Sequence, residues 1–211
     1  MKDISNIKIS EVIFRSRSHV KVLSVLAGVS VVLSVSQIVQ QSGLTRGAVE
    51  TALASLERTG IVFATRSGNA RVFQLNRDNV FVEEAVIPLF QVEDNLRWLM
   101  VEHIKQALGL LASSIVMFGS FARQDYSLDS DVDIVVVTHE LKGLRNNDSS
   151  FEQAFAEYAP HFRRRFGHSL EALVYDGEQA AELHRRAPAL FEEILEDAFL
   201  ISGSGDWLNN E

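Results

Sequence analysis

Two aspartates separated by one residue, Asp131 and Asp133, open an apolar run that continues through Ile134, Val135, Val136 and Val137. In a strand, side chains at i and i+2 share a face with Cα atoms about 6.6 Å apart, so both carboxylates are placed to bind one cation jointly. Left unpaired they repel. Protonating one or binding a divalent metal relieves the repulsion, and oxygen-only ligands favour magnesium or manganese over zinc. The pair alone carries little weight, because eleven aspartates in 211 residues give roughly 0.6 such pairs by chance. Its setting adds more. The apolar run from Ser114 to Phe118 ends in Gly119-Ser120, where the glycine lets backbone approach a ligand closely. The short helical segment Phe121-Ala122-Arg123 that opens there offers free amides to phosphate oxygens.

These residues must be positioned by strands, with helices packed against them. The runs at Ser114–Phe118 and Asp131–Val137 have strand length and composition, as does Ser169–Tyr175, and a helix is expected to begin near Phe151. From about Val82 to Leu111, apolar positions such as Val86, Leu89, Leu96, Met100, Ile104 and Leu108 recur among charged residues, which predicts a connecting helical region with a start or kink at Pro88.

Before it, Ser18 is placed to cap a helix whose apolar positions run from Val20 to Ala27 and which stops at Gly28; Val31–Leu33 then reads as a short extended piece. Ser34-Val35-Ser36-Gln37 has capping-box spacing for a short helix ending at Gly43. Thr45 caps a second, with Val49, Ala52, Leu53 and Leu56 on one face and Gly60 at its end. Two extended runs, Ile61–Thr65 and Ala70–Leu75, flank a turn at Arg66-Ser67-Gly68-Asn69. Residues from about Ser18 to Asn76 resemble the winged helix-turn-helix domains of transcriptional regulators. The resemblance implies that the helix from Thr45 to Thr59 enters the major groove of duplex DNA while the hairpin touches the backbone. Thr45, Arg46, Arg58, Arg66 and Arg71 are the candidate DNA contacts. The exposed set expected on that helix, Arg46, Gly47, Glu50, Thr51, Ala54, Ser55 and Arg58, is thin for base readout and includes an acid. The alternative is a domain that only dimerises the protein or packs on its neighbour.

The block Gly119-Ser120-Phe121-Ala122-Arg123, followed by Ser130-Asp131-Val132-Asp133-Ile134, resembles the signature of the nucleotidyltransferase superfamily that includes DNA polymerase beta, aminoglycoside nucleotidyltransferases and the minimal nucleotidyltransferases. The resemblance implies a small mixed sheet with packed helices over roughly Ile115–Ser202. Gly119 and Ser120 would hold phosphates, with Arg123 and Ser130 as further nucleotide-binding candidates; Arg123 either touches phosphate or braces the loop. Asp131 and Asp133 would bind the magnesium (or manganese) ions that bridge a nucleoside triphosphate. It also implies a third carboxylate from a later strand. Glu171 is that candidate: it either faces the aspartates or is an edge-strand surface acid, and Asp176 is a poorer one. Arg163-Arg164-Arg165 reads as a solvated helix end or a contact for triphosphate or an anionic acceptor. The six histidines show no metal-ligand spacing and read as structural or exposed.

Composition bounds these readings. The chain has no cysteine, which excludes thiolate zinc sites and cysteine nucleophiles and fits a reducing, cytoplasmic compartment. The stretch from Val20 to Val35 is interrupted by Lys21 and several serines and is shorter than the roughly 20 residues of a membrane span. The net charge of -8 divides unevenly: residues 1–81 hold ten Lys+Arg and five Asp+Glu, residues 82–211 ten and twenty-three. A basic half suits a polyanion and an acidic half suits cations. The expected class is α+β, with a winged helix-turn-helix at residues 1–81 and a linker helix plus nucleotidyltransferase domain at 82–211. The expected function is transfer of a nucleoside monophosphate to a hydroxyl on a protein, RNA or small molecule. The alternative is a transcriptional regulator whose second domain binds a nucleotide without catalysis. A homodimer is compatible with either.

Overall fold

The computed structural model describes residues 8–138 and 150–209. Contacts divide the chain into two compact units between Asp94 and Asn95, later than the boundary expected after residue 81. The reason is that Val82, Val86 and Phe90 are buried in the first core.

The first unit begins with α1 (Ile9–Ile13) and α2 (Arg17–Ala27). The cap of α2 is Ser16, not Ser18: Ser16 is extended, at φ -158° and ψ 162°, and its hydroxyl accepts from the His19 amide. The extended piece expected at Val31–Leu33 shifts to β1 (Leu33–Ser34), because the ladder pairs Leu33 with Phe73 and Ser34 with Val72. In α3 (Val35–Ser42) both bonds of the Ser34–Gln37 capping box form, and Gly43 ends the helix at φ 66°. Thr45 caps α4 (Arg46–Arg58) through the Ala48 amide. Val49, Ala52, Leu53 and Leu56 are buried as the periodicity requires; Ser55, expected on the exposed face, is buried too, since it flanks Ala52 and Leu56 and widens the apolar stripe.

Strands β2 (Val62–Ser67) and β3 (Ala70–Leu75) pair through Ser67–Ala70, so the turn narrows from four residues to Gly68-Asn69. The sheet order is β1-β3-β2. Val82–Val86 forms one wide π-helical turn, followed by α5 (Ile87–Asp94), with Pro88 just past the wide turn. Among the described residues no helix is long and apolar enough to cross a membrane.

The second unit is a mixed four-stranded sheet with helices on both faces. Its elements in order are α6 (Leu96–Leu108), β4 (Ala112–Phe118), α7 (Gly119–Arg123), β5 (Val132–Thr138) and α8 (Ser150–Phe166). These are followed by β6 (Leu170–Tyr175), α9 (Gly177–Ala181), α10 (Leu183–Arg186), α11 (Pro188–Asp197) and β7 (Phe199–Gly203). The sheet order is β6-β5-β4-β7, with β5 and β6 parallel and the other neighbours antiparallel. Strand alternation sorts the side chains. Ile115, Met117, Ile134 and Val136 pack with Met100, Ile104 and Leu108 of α6 and Phe151 and Phe162 of α8. Val116, Phe118 and Val135 meet Leu183, Phe191 and Ile194 of α10 and α11 on the other face.

Candidate functional site

The second face carries the polar chemistry. Asp133 lies opposite Phe118 on β4 and beside Glu171 on β6, in register with both. Partners in a ladder point to the same face, so Asp133 and Glu171 are neighbours on the side that α11 covers. β6 is an edge strand, which leaves Glu171 exposed, and its register sets it next to Asp133. Asp131 stands one residue before β5 rather than inside it, and is exposed.

Gly119, the first residue of α7 after β4, lies close to Asp133. It adopts φ +71°, a region that disfavours side chains, and a Cβ built on it would lie 3.2 Å from Asp133 Oδ2. A glycine is what allows the backbone to turn this close to the carboxylate. Ser120 follows in the first turn of α7, half-buried.

Burial pushes the Asp133 carboxyl above its ordinary range, and the charges of Glu171, Asp131 and Glu193 add to the shift in that order. Glu193, an exposed residue of α11, was not singled out by the sequence; its only signal was an acid-rich helix whose docking onto this face needed the tertiary fold. Among the described residues no three His, Asp or Glu side chains converge as a preformed metal cage. Magnesium keeps water and substrate phosphate oxygens as ligands and takes only one or two carboxylates from the protein. An all-oxygen donor set, uncompensated negative charge at Asp133 and the side-chain-free approach at Gly119 fit such an ion.

Other expected site residues have structural partners. Arg123 is exposed, donates to Asp125 Oδ2 at 3.1 Å and pairs with the largely buried Asp197. The Ser130 hydroxyl accepts from the Ser127 amide at 2.8 Å, closing the loop before Asp131. His168, buried, meets the Ser130 carbonyl oxygen through Nδ1 at 2.8 Å. A carbonyl only accepts, so Nδ1 carries the proton. The His168 ring also sits edge-on to Phe121, which stacks on Tyr126 at 4.1 Å. This histidine thus ties α7 and the loop before Asp131 together. Asp176 caps α9 through the Gln179 amide at 2.7 Å, away from the role of third carboxylate. Arg163, Arg164 and Arg165 are exposed in the last turn of α8. His139 lies outside the described residues.

Among the expected DNA contacts, Arg46 pairs with Glu50 at 2.9 Å and Arg71 with Glu57 at 2.5 Å. Thr45, Arg58 and Arg66 are exposed, and neither Arg58 nor Arg66 has an ion pair among the described residues.

Residues 100–163 match the nucleotidyltransferase domain family. The part that matches this nucleotidyltransferase domain runs from within α6 to within α8; it includes Gly119, Ser120, Asp131 and Asp133 and ends before Glu171. Two solved structures are similar at 14% sequence identity. One, a toxin-antitoxin with AMP-PNP, has a TM-score of 0.34, covering 52% of this chain and 75% of that one. The other, a toxin-antitoxin MntA-HpeT mutant, has a TM-score of 0.33 with the same coverage. No curated protein matches the chain.

The raised Asp133 pKa has a consequence for stability. The folded state binds this proton more tightly than the unfolded chain, so stability falls as pH rises through the raised value, and the loss persists above it. Asp133→Asn is therefore expected to raise the thermal midpoint of the metal-free protein at neutral pH. The gain should shrink as pH is lowered below the Asp133 pKa. Magnesium should raise the midpoint of the wild type and not of the variant; scanning calorimetry across pH, with and without the ion, measures both.

Proposed function

We propose that this protein transfers a nucleoside monophosphate from a nucleoside triphosphate to an acceptor hydroxyl, using the site formed by Gly119, Ser120, Asp131, Asp133 and Glu171. The observation that carries this reading is the register that brings Asp133 against Gly119 on one side and beside Glu171 on the other. Asp131 and Asp133 would hold magnesium or manganese, and the bound ion would supply positive charge to the triphosphate oxygens. Gly119 and Ser120 would take up the phosphates through backbone amides and the Ser120 hydroxyl. Glu171 would accept the proton of the acceptor hydroxyl as its oxygen bonds to the α phosphorus. The bond from that phosphorus to the bridging oxygen breaks, and pyrophosphate leaves. The acceptor is a hydroxyl of a protein, RNA or small molecule. A nucleotide sensor would have no need of a third carboxylate beside Asp133, and the placement of Glu171 favours transfer over sensing on that ground.

We also propose that the first unit is a winged helix-turn-helix that binds duplex DNA, with α4 as the recognition helix and β2–β3 as the wing. The element order and the three-stranded sheet support this. Arg58 and Arg66 carry the phosphate contacts most directly, since Glu50 and Glu57 compete for Arg46 and Arg71.

Calorimetric titration of each nucleoside triphosphate with magnesium is expected to show binding to the wild type and at least tenfold weaker binding to Asp133→Asn. Glu171→Gln should still bind but release pyrophosphate roughly 100-fold more slowly in a cell extract that supplies acceptors. Binding by the wild type with no pyrophosphate from any triphosphate would replace transfer with sensing. For DNA, replacing Arg58 and Arg66 by alanine should reduce the slope of log affinity against log salt by about one each on random duplex. An unchanged slope would remove both residues from the interface.

A further inference from the structure

The turn that begins with Gly119 belongs to α7, a helix of five residues. So short a helix does not persist by itself, and its last carbonyls lack partners within it. The amides of Gln124 and Asp125 both return to the Ser120 carbonyl. This closure requires Gln124 at φ 65°, and among the described residues it is the one non-glycine with positive φ. A side chain in that region is disfavoured and holds only where its surroundings over-determine it.

Arg97, on the first turn of α6, supplies that determination. Its Nη1 donates to the Ala122 carbonyl at 2.7 Å, so a cation sits at the negative end of α7. The Gln124 amide, oriented with its oxygen toward Arg97, accepts from Nη2 at 3.0 Å and from Nη1 at 3.2 Å. The guanidinium lies over the Phe199 ring, 4.7 Å from its centroid, and 5.8 Å from that of Trp98. Its Nε is buried without a hydrogen-bond partner among the described residues, so the two Nη atoms carry the hold on α7. Arg123 and Asp197 tie the same end of α7 to the end of α11.

We propose that Arg97 is a positioning residue. By fixing the far end of α7 at Ala122 and Gln124, it keeps Gly119 and Ser120 where a triphosphate would be bound. This rests on the transfer reading for its functional consequence, but the restraint on α7 stands apart from it. Sequence offered no pointer to Arg97, because it lies outside the block that resembles the nucleotidyltransferase signature and acts by reaching across the fold.

The test uses the full chain with Arg97→Met, which keeps an apolar stem against Phe199 and loses both Nη donors, and with Phe199→Leu, which keeps the donors and loses the ring. In hydrogen exchange, Arg97→Met should speed the amides of residues 120–125 while β4 and β5 keep their protection; Phe199→Leu should leave residues 120–125 slow. Titrated with magnesium and the triphosphate that the wild type binds, Arg97→Met should bind about tenfold more weakly and Phe199→Leu within twofold of wild type. Unchanged exchange at residues 120–125 in Arg97→Met overturns the restraint. Faster exchange with unchanged affinity overturns the positioning role. Should the wild type bind no triphosphate, the transfer reading fails, and the exchange result still decides whether Arg97 holds the turn.

Discussion

Asp133 is a partly buried carboxylate whose electrostatic neighbours, Glu171, Asp131 and Glu193, are also acids. Folding brings these like charges together at the end of a sheet, where burial and the neighbouring acids raise the work of ionising Asp133. The arrangement is tolerable because β5 lies between two well-paired strands, and the apolar side chains that follow Asp133 are buried on both faces. A site that accumulates unmatched negative charge in this way is one that a cation can stabilise. The hydrophobic sheet holds in place an electrostatic arrangement that would otherwise relax.

The closest constraint around Asp133 is steric. Gly119 approaches its carboxylate with no side chain between them, so closely that a Cβ there would lie 3.2 Å from Asp133 Oδ2. The surrounding bonds serve that geometry. The Ser130 hydroxyl and His168 pin the loop that delivers Asp131, while Arg97, Arg123 and Asp197 hold the other end of α7. None of these partners needs to touch a nucleotide to matter, since each restricts where Gly119, Ser120 and Asp131 can sit.

Local rules made much of this legible in the sequence. Capping chemistry located α3 and α4, because Ser34, Gln37, Gly43 and Thr45 act on amides within a few residues. The Gly119-Ser120 and Asp131-x-Asp133 blocks flag residues that the fold brings close, because the β4–α7 turn and the start of β5 lie at the same end of paired strands. What depended on distant pairing was not legible. Whether Glu171 meets Asp133 is a matter of strand register, where a shift of one residue would turn the carboxylate to the other face. The same holds for Glu193 and Arg97, whose partners lie on other elements. Ser55 and the α2 cap show a smaller effect: Ser16 and Ser18 are both plausible caps by type, and the backbone conformation at Ser16 decides between them.

The most direct test of the site is where a divalent ion sits when substrate is present. Crystals of the wild type grown with manganese and a non-hydrolysable nucleoside triphosphate would show the ion by anomalous scattering. Oxygens of Asp131 and Asp133 should lie about 2.0–2.3 Å from the ion, triphosphate oxygens should complete its coordination, and Gly119 and Ser120 should contact the phosphates. A triphosphate bound elsewhere, or bound with no ion at these aspartates, would contradict the assignment of this site to nucleotide transfer.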